Sequence, residues 1–257
     1  MDGVTAEGLL LTLITNDVRL AASAVAAGVG RVLVDLERRG KARRQKGRGY
    51  FLSNHTWADV AAVRRALPPG ALIVRLDPLH ERTRDQVERS LWLGADALML
   101  PYFRSADAVF RLGDLVAGRC TIVPLVETMS AVRQLPAILA SGCASEFHLG
   151  LNDLALDLGR ASLTELWGGP LLDEIAGSAR HAGAAFGIGG VCDPRTAGLP
   201  VDPAWVIAEQ RRLGSSRALL GRSFRAPFEH EPDPTRLAAA VQAIQSAYRA
   251  APGPRNL

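Results

Sequence analysis

The chain has 257 residues, 48% hydrophobic and 22% charged, an ordinary globular balance with enough apolar material for one large core. Its formal charge of +4 is modest, no apolar run approaches the ~20 residues a bilayer span needs, and the N-terminus lacks the basic start and cleavage site of a secretory leader. Three scattered cysteines, Cys120, Cys143 and Cys192, suggest neither a disulfide framework nor a zinc knuckle, so the cytoplasm is the expected compartment.

In chain order, short apolar runs alternate with longer amphipathic ones. "LLLTLIT" (9–15) precedes "DVRLAASAVAAGV", and "RVLVDLE" (31–37) precedes a basic run and then "WADVAAVRRAL". "ALIVRLD" (71–77), "ALMLPYF" (97–103) and "TIVPLVE" (121–127) are each followed by a helical pattern. "EFHLGL" (146–151), "AFGIGGV" (185–191) and "RALLGRSF" (217–224) complete the series, the last leading into "PTRLAAAVQAIQSAYRAA". Near-continuous apolar strands suit parallel staves buried on both faces. Glycines at Gly28, Gly94, Gly142, Gly183 and Gly214 fall where helix C-terminal caps belong. This repetition predicts a single α/β domain, a (β/α)₈ TIM barrel over 1–257. An open doubly wound sheet explains the count less well, and no G-x-G-x-x-G follows the first strand. The last helix, about 233–250, has an apolar face that could meet a neighbouring subunit or its own barrel.

"RRGKARRQKGR" (38–48) concentrates positive charge. Without interleaved aromatics or a surrounding nucleic-acid motif, it reads as a solvated loop that attracts an anionic small molecule rather than as a DNA or RNA site.

In a barrel of this kind, chemistry collects where strands end. Asp35 and Glu37 end the second strand, Arg75 and Asp77 the third, and Glu127 the fifth; Asp153 lies just past Gly150. Burying such charges is costly unless they pair or bind an ion. On one reading Glu127 and Asp153 hold Mg²⁺ or Mn²⁺, since carboxylates without His or Cys partners favour hard cations, and Arg75 clamps a substrate carboxylate. On the other, Arg75, Asp35 and Glu37 form an ion-pair ring that closes the barrel top.

The stretches "VRLDP", "GADALMLPYFRSADAV", "VPLVET" and "FHLGLNDLALDLG" occur in an order that resembles the HpcH/HpaI aldolase and citrate lyase β-subunit superfamily, from the first strand through "LLGRSF". The resemblance implies metal-dependent making or breaking of carbon–carbon bonds beside a carbonyl. It assigns Glu127 and Asp153 as metal ligands and Arg75 as the substrate-carboxylate arginine. It also makes Gly150 the opening of a turn that, with Leu151 and Asn152, brings backbone N–H groups to the substrate. The second strand departs from the pattern: Arg38 stands where pyruvate aldolases of the family carry a histidine, so contact with an anionic acceptor is its expected role. Leu125 leans towards the citrate lyase side.

The activity expected is that of a divalent-metal-dependent aldolase or lyase acting on a 2-oxo acid with an aldehyde partner, in a homo-oligomer. The cation would act as a Lewis acid towards an enolate, and the proton would pass through a metal-bound water, Glu37 or His55. A CoA-ester lyase or thioesterase gripping CoA phosphates with the basic run is a second reading. A non-catalytic anion- or nucleic-acid-binding barrel is a third. His55 is either this acid/base or a residue at a helix start, where Asn54 and Thr56 are also plausible caps. His148 reads as a satisfied barrel residue, and His80, His181 and His230 as surface positions. Trp92, Trp167 and Trp205 fit apolar helix faces. Gly187, Gly189, Gly190, Arg222 and Ser223 are candidates for a phosphate or carboxylate subsite or for tight packing at the mouth. "APGPRNL" is expected to fray.

Overall fold

In the computed structural model, which describes residues 8–41, 53–160 and 162–254, each apolar run becomes a stave. The strands are Leu10–Ile14 (β1), Arg31–Asp35 (β2), Leu72–Arg75 (β3), Ala97–Leu100 (β4), Thr121–Val126 (β5), Glu146–Leu149 (β6), Ala185–Val191 (β7) and Arg217–Leu220 (β8). Neighbours pair in sequence order, and β8 returns to β1 in parallel, so the sheet closes. The helices used below are Val18–Ala26 (α1), Trp57–Ala66 (α2), Thr83–Trp92 (α3), Ala106–Val116 (α4), Met129–Ala140 (α5), Leu151–Asp157 (α6), Pro170–Ala182 (α7), Pro203–Leu213 (α8), Arg222–Arg225 (α9) and Pro234–Ala250 (α10).

Local chemistry starts and stops these helices. Asp17, Thr56, Thr128, Asp202 and Asp233 each accept N–H bonds from the first turn that follows, and Thr56 and Asp59 form a reciprocal capping box. Thr56, not His55, is therefore the cap of α2. Gly183 and Gly214 end α7 and α8 in the left-handed conformation that glycine adopts without a Cβ clash.

Side chains alternate across the staves. One set, including Phe147, Phe186, Leu72 and Leu98, packs outward against the helices. The other fills the barrel with Leu33, Ile73, Ala97, Met99, Val123, Leu125 and Leu219. Beneath that apolar layer, at the strands' N-terminal ends, Glu146 accepts from Arg31 at 2.5 Å and from Arg217 at 2.9 Å. His148, next inward on β6, is fully buried, and among the described residues neither ring nitrogen has a hydrogen-bond partner. It is a barrel-interior residue but not a satisfied one.

Other expectations change in the folded chain. β8 stops at Leu220, and Arg222 and Ser223 belong to α9 instead of the strand. Trp92, the last residue of α3, is 83% exposed, Trp205 on α8 is 40% exposed, and Trp167 lies in a turn, so none of the three sits on a buried helix face. His80 is half-buried, its Nδ1 accepting the Arg82 N–H at 3.1 Å, whereas His181 and His230 are exposed. The apolar face of α10 closes on its own barrel: Leu237, Val241, Ile244 and Tyr248 are buried, and the Tyr248 hydroxyl donates to the Ser215 carbonyl at 2.7 Å. Gln245 on the same helix clamps Leu9, accepting its N–H at 3.0 Å and donating to its carbonyl at 2.7 Å. No helix among the described residues is long and apolar enough to cross a membrane.

Candidate active site

The C-terminal ends of β2 and β3 are in register, Asp35 opposite Arg75. That pairing lets the arginine fork meet the carboxylate with two bonds, Nε to Oδ1 at 2.8 Å and Nη2 to Oδ2 at 2.6 Å. Lys41 adds a second cation, its Nζ 2.7 Å from Asp35 Oδ2 and 3.2 Å from Glu37 Oε2. The Glu37 N–H donates to Asp35 Oδ1 at 3.1 Å, and Arg75 Nε lies 3.7 Å from Glu37 Oε2. Burial alone would raise the Asp35 carboxyl, but Arg75 and Lys41 outweigh it and hold the group well below the usual carboxylate range. Burial likewise opposes the Arg75 charge, and Asp35, Glu37 and Glu127 more than restore it. The ion-pair ring offered as an alternative reading thus exists, with Lys41 as a further member.

Glu127, immediately after β5, is aimed by two backbone features. The Tyr102 N–H donates to Glu127 Oε1 at 2.8 Å, from a residue held at φ +45°. A left-handed tyrosine is sterically unusual, and such strain gathers at functional sites. On the other side, a Cβ on Gly150 would lie 2.5 Å from Glu127 Oε2 and 2.8 Å from its Cβ, so only glycine fits. Burial first, then the charges of Glu37 and Asp153, pushes the Glu127 carboxyl up to about 8. Asp153 stands in the first turn of α6 and is also buried.

A cavity of about 510 Å³ joins these parts. Glu37, Arg75, Glu127, Gly150, Leu151, Asn152 and Asp153 all line it, as do Gly189, Gly190, Arg222 and Ser223. Gly187 does not; a Cβ there would run into the His148 ring and Arg217. The Gly150 N–H is committed to the Val126 carbonyl at 3.0 Å, which leaves the turn's later N–H groups for any ligand.

His55 and Arg38 are not among the lining residues. His55 Nδ1 accepts the Asp35 N–H at 3.0 Å, an acceptor role that requires the neutral ring, and burial lowers its pKa to about 4. Arg38 turns its guanidinium to the carbonyls of Ser53 and His55. Asp77 anchors the loop rather than the cavity, taking the N–H groups of Arg38 and Arg39 at 2.7 Å and 2.8 Å. Of the basic run, positions 42–48 lie outside the described residues.

Sequence reasoning missed Lys41, Ser53 and Trp167, all of which line the cavity, and the strained Tyr102. Lys41 stands four residues after Glu37, a helical pairing distance, and that was the available signal.

Among the described residues, no group of three or more His, Cys, Asp or Glu side chains is arranged to hold a metal ion. The Glu127–Asp153 pair offers oxygen donors only. Such a set suits Mg²⁺ or Mn²⁺, which keep water or substrate oxygens in their remaining positions, and does not suit zinc.

Residues 9–192 match the model of the HpcH/HpaI aldolase/citrate lyase family. Among solved structures, an HpcH/HpaI aldolase/citrate lyase family protein from Burkholderia cenocepacia is similar at TM-score 0.67 and 17% identity, over 86% of this chain and 91% of that one. Citrate synthase SbnG is similar at TM-score 0.63 and 16% identity, over 87% and 90%. The citrate lyase beta subunit from M. tuberculosis, complexed with oxaloacetate and magnesium, is similar at TM-score 0.60 and 20% identity, over 94% and 97%. At these identities the likeness is one of fold. No curated protein sequence matches the chain.

Proposed function

The chain belongs to the HpcH/HpaI aldolase/citrate lyase family, and from that premise we propose that it is a divalent-metal-dependent carbon–carbon lyase or aldolase acting on a 2-oxo acid with an aldehyde partner. The observation that carries this reading is the pair Glu127 and Asp153, two buried carboxylates lining one cavity with Arg75 beside them. Two such groups repel one another unless a proton or a cation lies between them. They would hold Mg²⁺ or Mn²⁺, which when bound supplies Lewis-acid stabilisation of negative charge developing on a substrate oxygen.

The chain's own groups do the rest. Arg75, kept charged and fixed in direction by Asp35, offers its remaining donor edge to the substrate carboxylate. The turn after Gly150 orients that carboxylate through backbone N–H groups. Glu37, lining the cavity between Lys41 and Arg75, takes up or delivers the proton at the substrate carbon. His55, already bonded to the Asp35 backbone, keeps the second strand's end in place and carries no proton to substrate. Lys41 takes the anion-contacting role first expected of Arg38, since Lys41 lines the cavity and Arg38 does not.

Glu127→Ala is expected to abolish turnover of a 2-oxo acid aldol that the parent cleaves with Mg²⁺ or Mn²⁺. Activity that survives EDTA in the parent would sink the proposal.

A further inference from the structure

The cavity has two chemically different halves. Its charged lining residues are Asp35, Glu37, Lys41, Arg75, Glu127 and Asp153 on one side and Arg222 and Arg225 after β8. Between them, positions 162–206 contribute no charged side chain to the lining among the described residues. That stretch supplies Leu163, Trp167, Leu199, Val201 and Val206, along with Ser162 and Thr164, whose hydroxyls bond to one another at 2.9 Å. Trp167 is held in place by Trp205, ring centroids 6.2 Å apart and planes at 75°, an edge-on packing that fixes the indole as a wall. Leu163, Leu199 and Val201 are half-buried: each packs against the core on one side and also lines the cavity.

We infer that this pouch binds an uncharged apolar substituent, aliphatic or aryl, carried by the aldehyde partner of the reaction. The inference rests on the activity proposed above and adds the acceptor's chemical class to it. A carboxylate or phosphate placed against Trp167 and Val206 would lose its water without gaining a charged partner. A hydrocarbon chain gains there instead, by about fourfold in kcat/KM for each methylene buried. The polar half remains free to hold the 2-oxo acid, so the two halves sort the two substrates.

The test runs pyruvate and Mg²⁺ with acetaldehyde, butanal, pentanal and hexanal, and with 4-oxobutanoate as a carboxylate-bearing aldehyde of comparable length. Rising kcat/KM along the alkyl series, with pentanal at least about tenfold above 4-oxobutanoate, supports the pouch. A flat series, or preference for 4-oxobutanoate, overturns it while leaving the lyase reading intact. Trp167→Ala should flatten the series, and Val201→Arg, at a half-buried position, should shift preference towards 4-oxobutanoate. Calorimetric titration with hexanamide needs no turnover and judges the pouch by itself. Saturable binding that Val201→Arg weakens supports it, and absence of binding to the parent, or binding of acetyl-CoA that displaces hexanamide, overturns it. If hexanamide binds but no aldehyde reacts, the proposed activity fails and the apolar subsite stands.

Discussion

Glu127 shows how one residue's surroundings set its chemistry. Burial, then the charges of Glu37 and Asp153, push its carboxyl up to about 8, which favours the protonated form at neutral pH when no cation is bound. A divalent ion must displace that proton. Apparent Mg²⁺ affinity should therefore rise about tenfold per pH unit below about pH 8 and level off above it, with matching proton release in calorimetry. An affinity independent of pH over that range would contradict the assignment. His148 works with the opposite sign. Burial lowers its pKa to about 4 from an ordinary 6.5, so between those values the unfolded chain takes up a proton that the fold refuses. Stability should fall as pH drops through that window, by up to about 1.4 kcal/mol per unit. Glu127 acts against this in part of the same range, because a raised carboxyl pKa weakens the fold as pH rises. The check is consequently a difference: the stability of the parent minus that of His148→Leu, from urea midpoints, should fall as pH drops from about 6.5 to about 4, and parallel profiles would refute the account.

At the scale of elements, the strand–turn–helix of β6 and α6 is where backbone and chemistry meet. Gly150 leaves room for Glu127, and the residues that follow present both the turn N–H groups and Asp153. Gly150→Ala would drive a methyl into the stem of Glu127, not only its mobile end. The expected result is about 1–3 kcal/mol of lost stability and a larger loss of Mg²⁺ affinity, measured by denaturation and calorimetry on the same variant. Unchanged metal affinity would show that Glu127 is not held by this contact. Much of this element was legible beforehand, because parallel staves are continuous apolar runs and their terminal charges stand out against them. The left-handed Tyr102 was not legible, since backbone strain leaves no mark on composition. Trp167 was misread because an aromatic among apolar residues looks the same whether it packs under a helix or walls a cavity. His148 was misread for a related reason: residue type reveals burial, but not whether a partner arrives from another stave. Lys41 was seen only as part of a charged loop, although its spacing from Glu37 was visible.

Across the whole molecule, the two ends of the barrel differ in kind. The mouth carries like charges, a strained residue and a partly open apolar wall, all features that oppose stability. The far end holds Glu146 between Arg31 and Arg217, with an apolar layer separating it from the mouth. Glu146→Ala would leave two guanidinium groups facing one another and should cost about 3–5 kcal/mol, a fall in Tm on the order of 10 °C. Metal affinity measured well below that Tm should be unchanged, and a variant that loses both together would show that the ends are coupled. The same ion cluster joins β2, β6 and β8, three staves far apart in the chain, without help from any loop at the opposite rim. That arrangement makes the cylinder a reusable chassis: rim segments can be lengthened, shortened or exchanged with those of another barrel, and the fastening at the base still brings the staves to the same diameter.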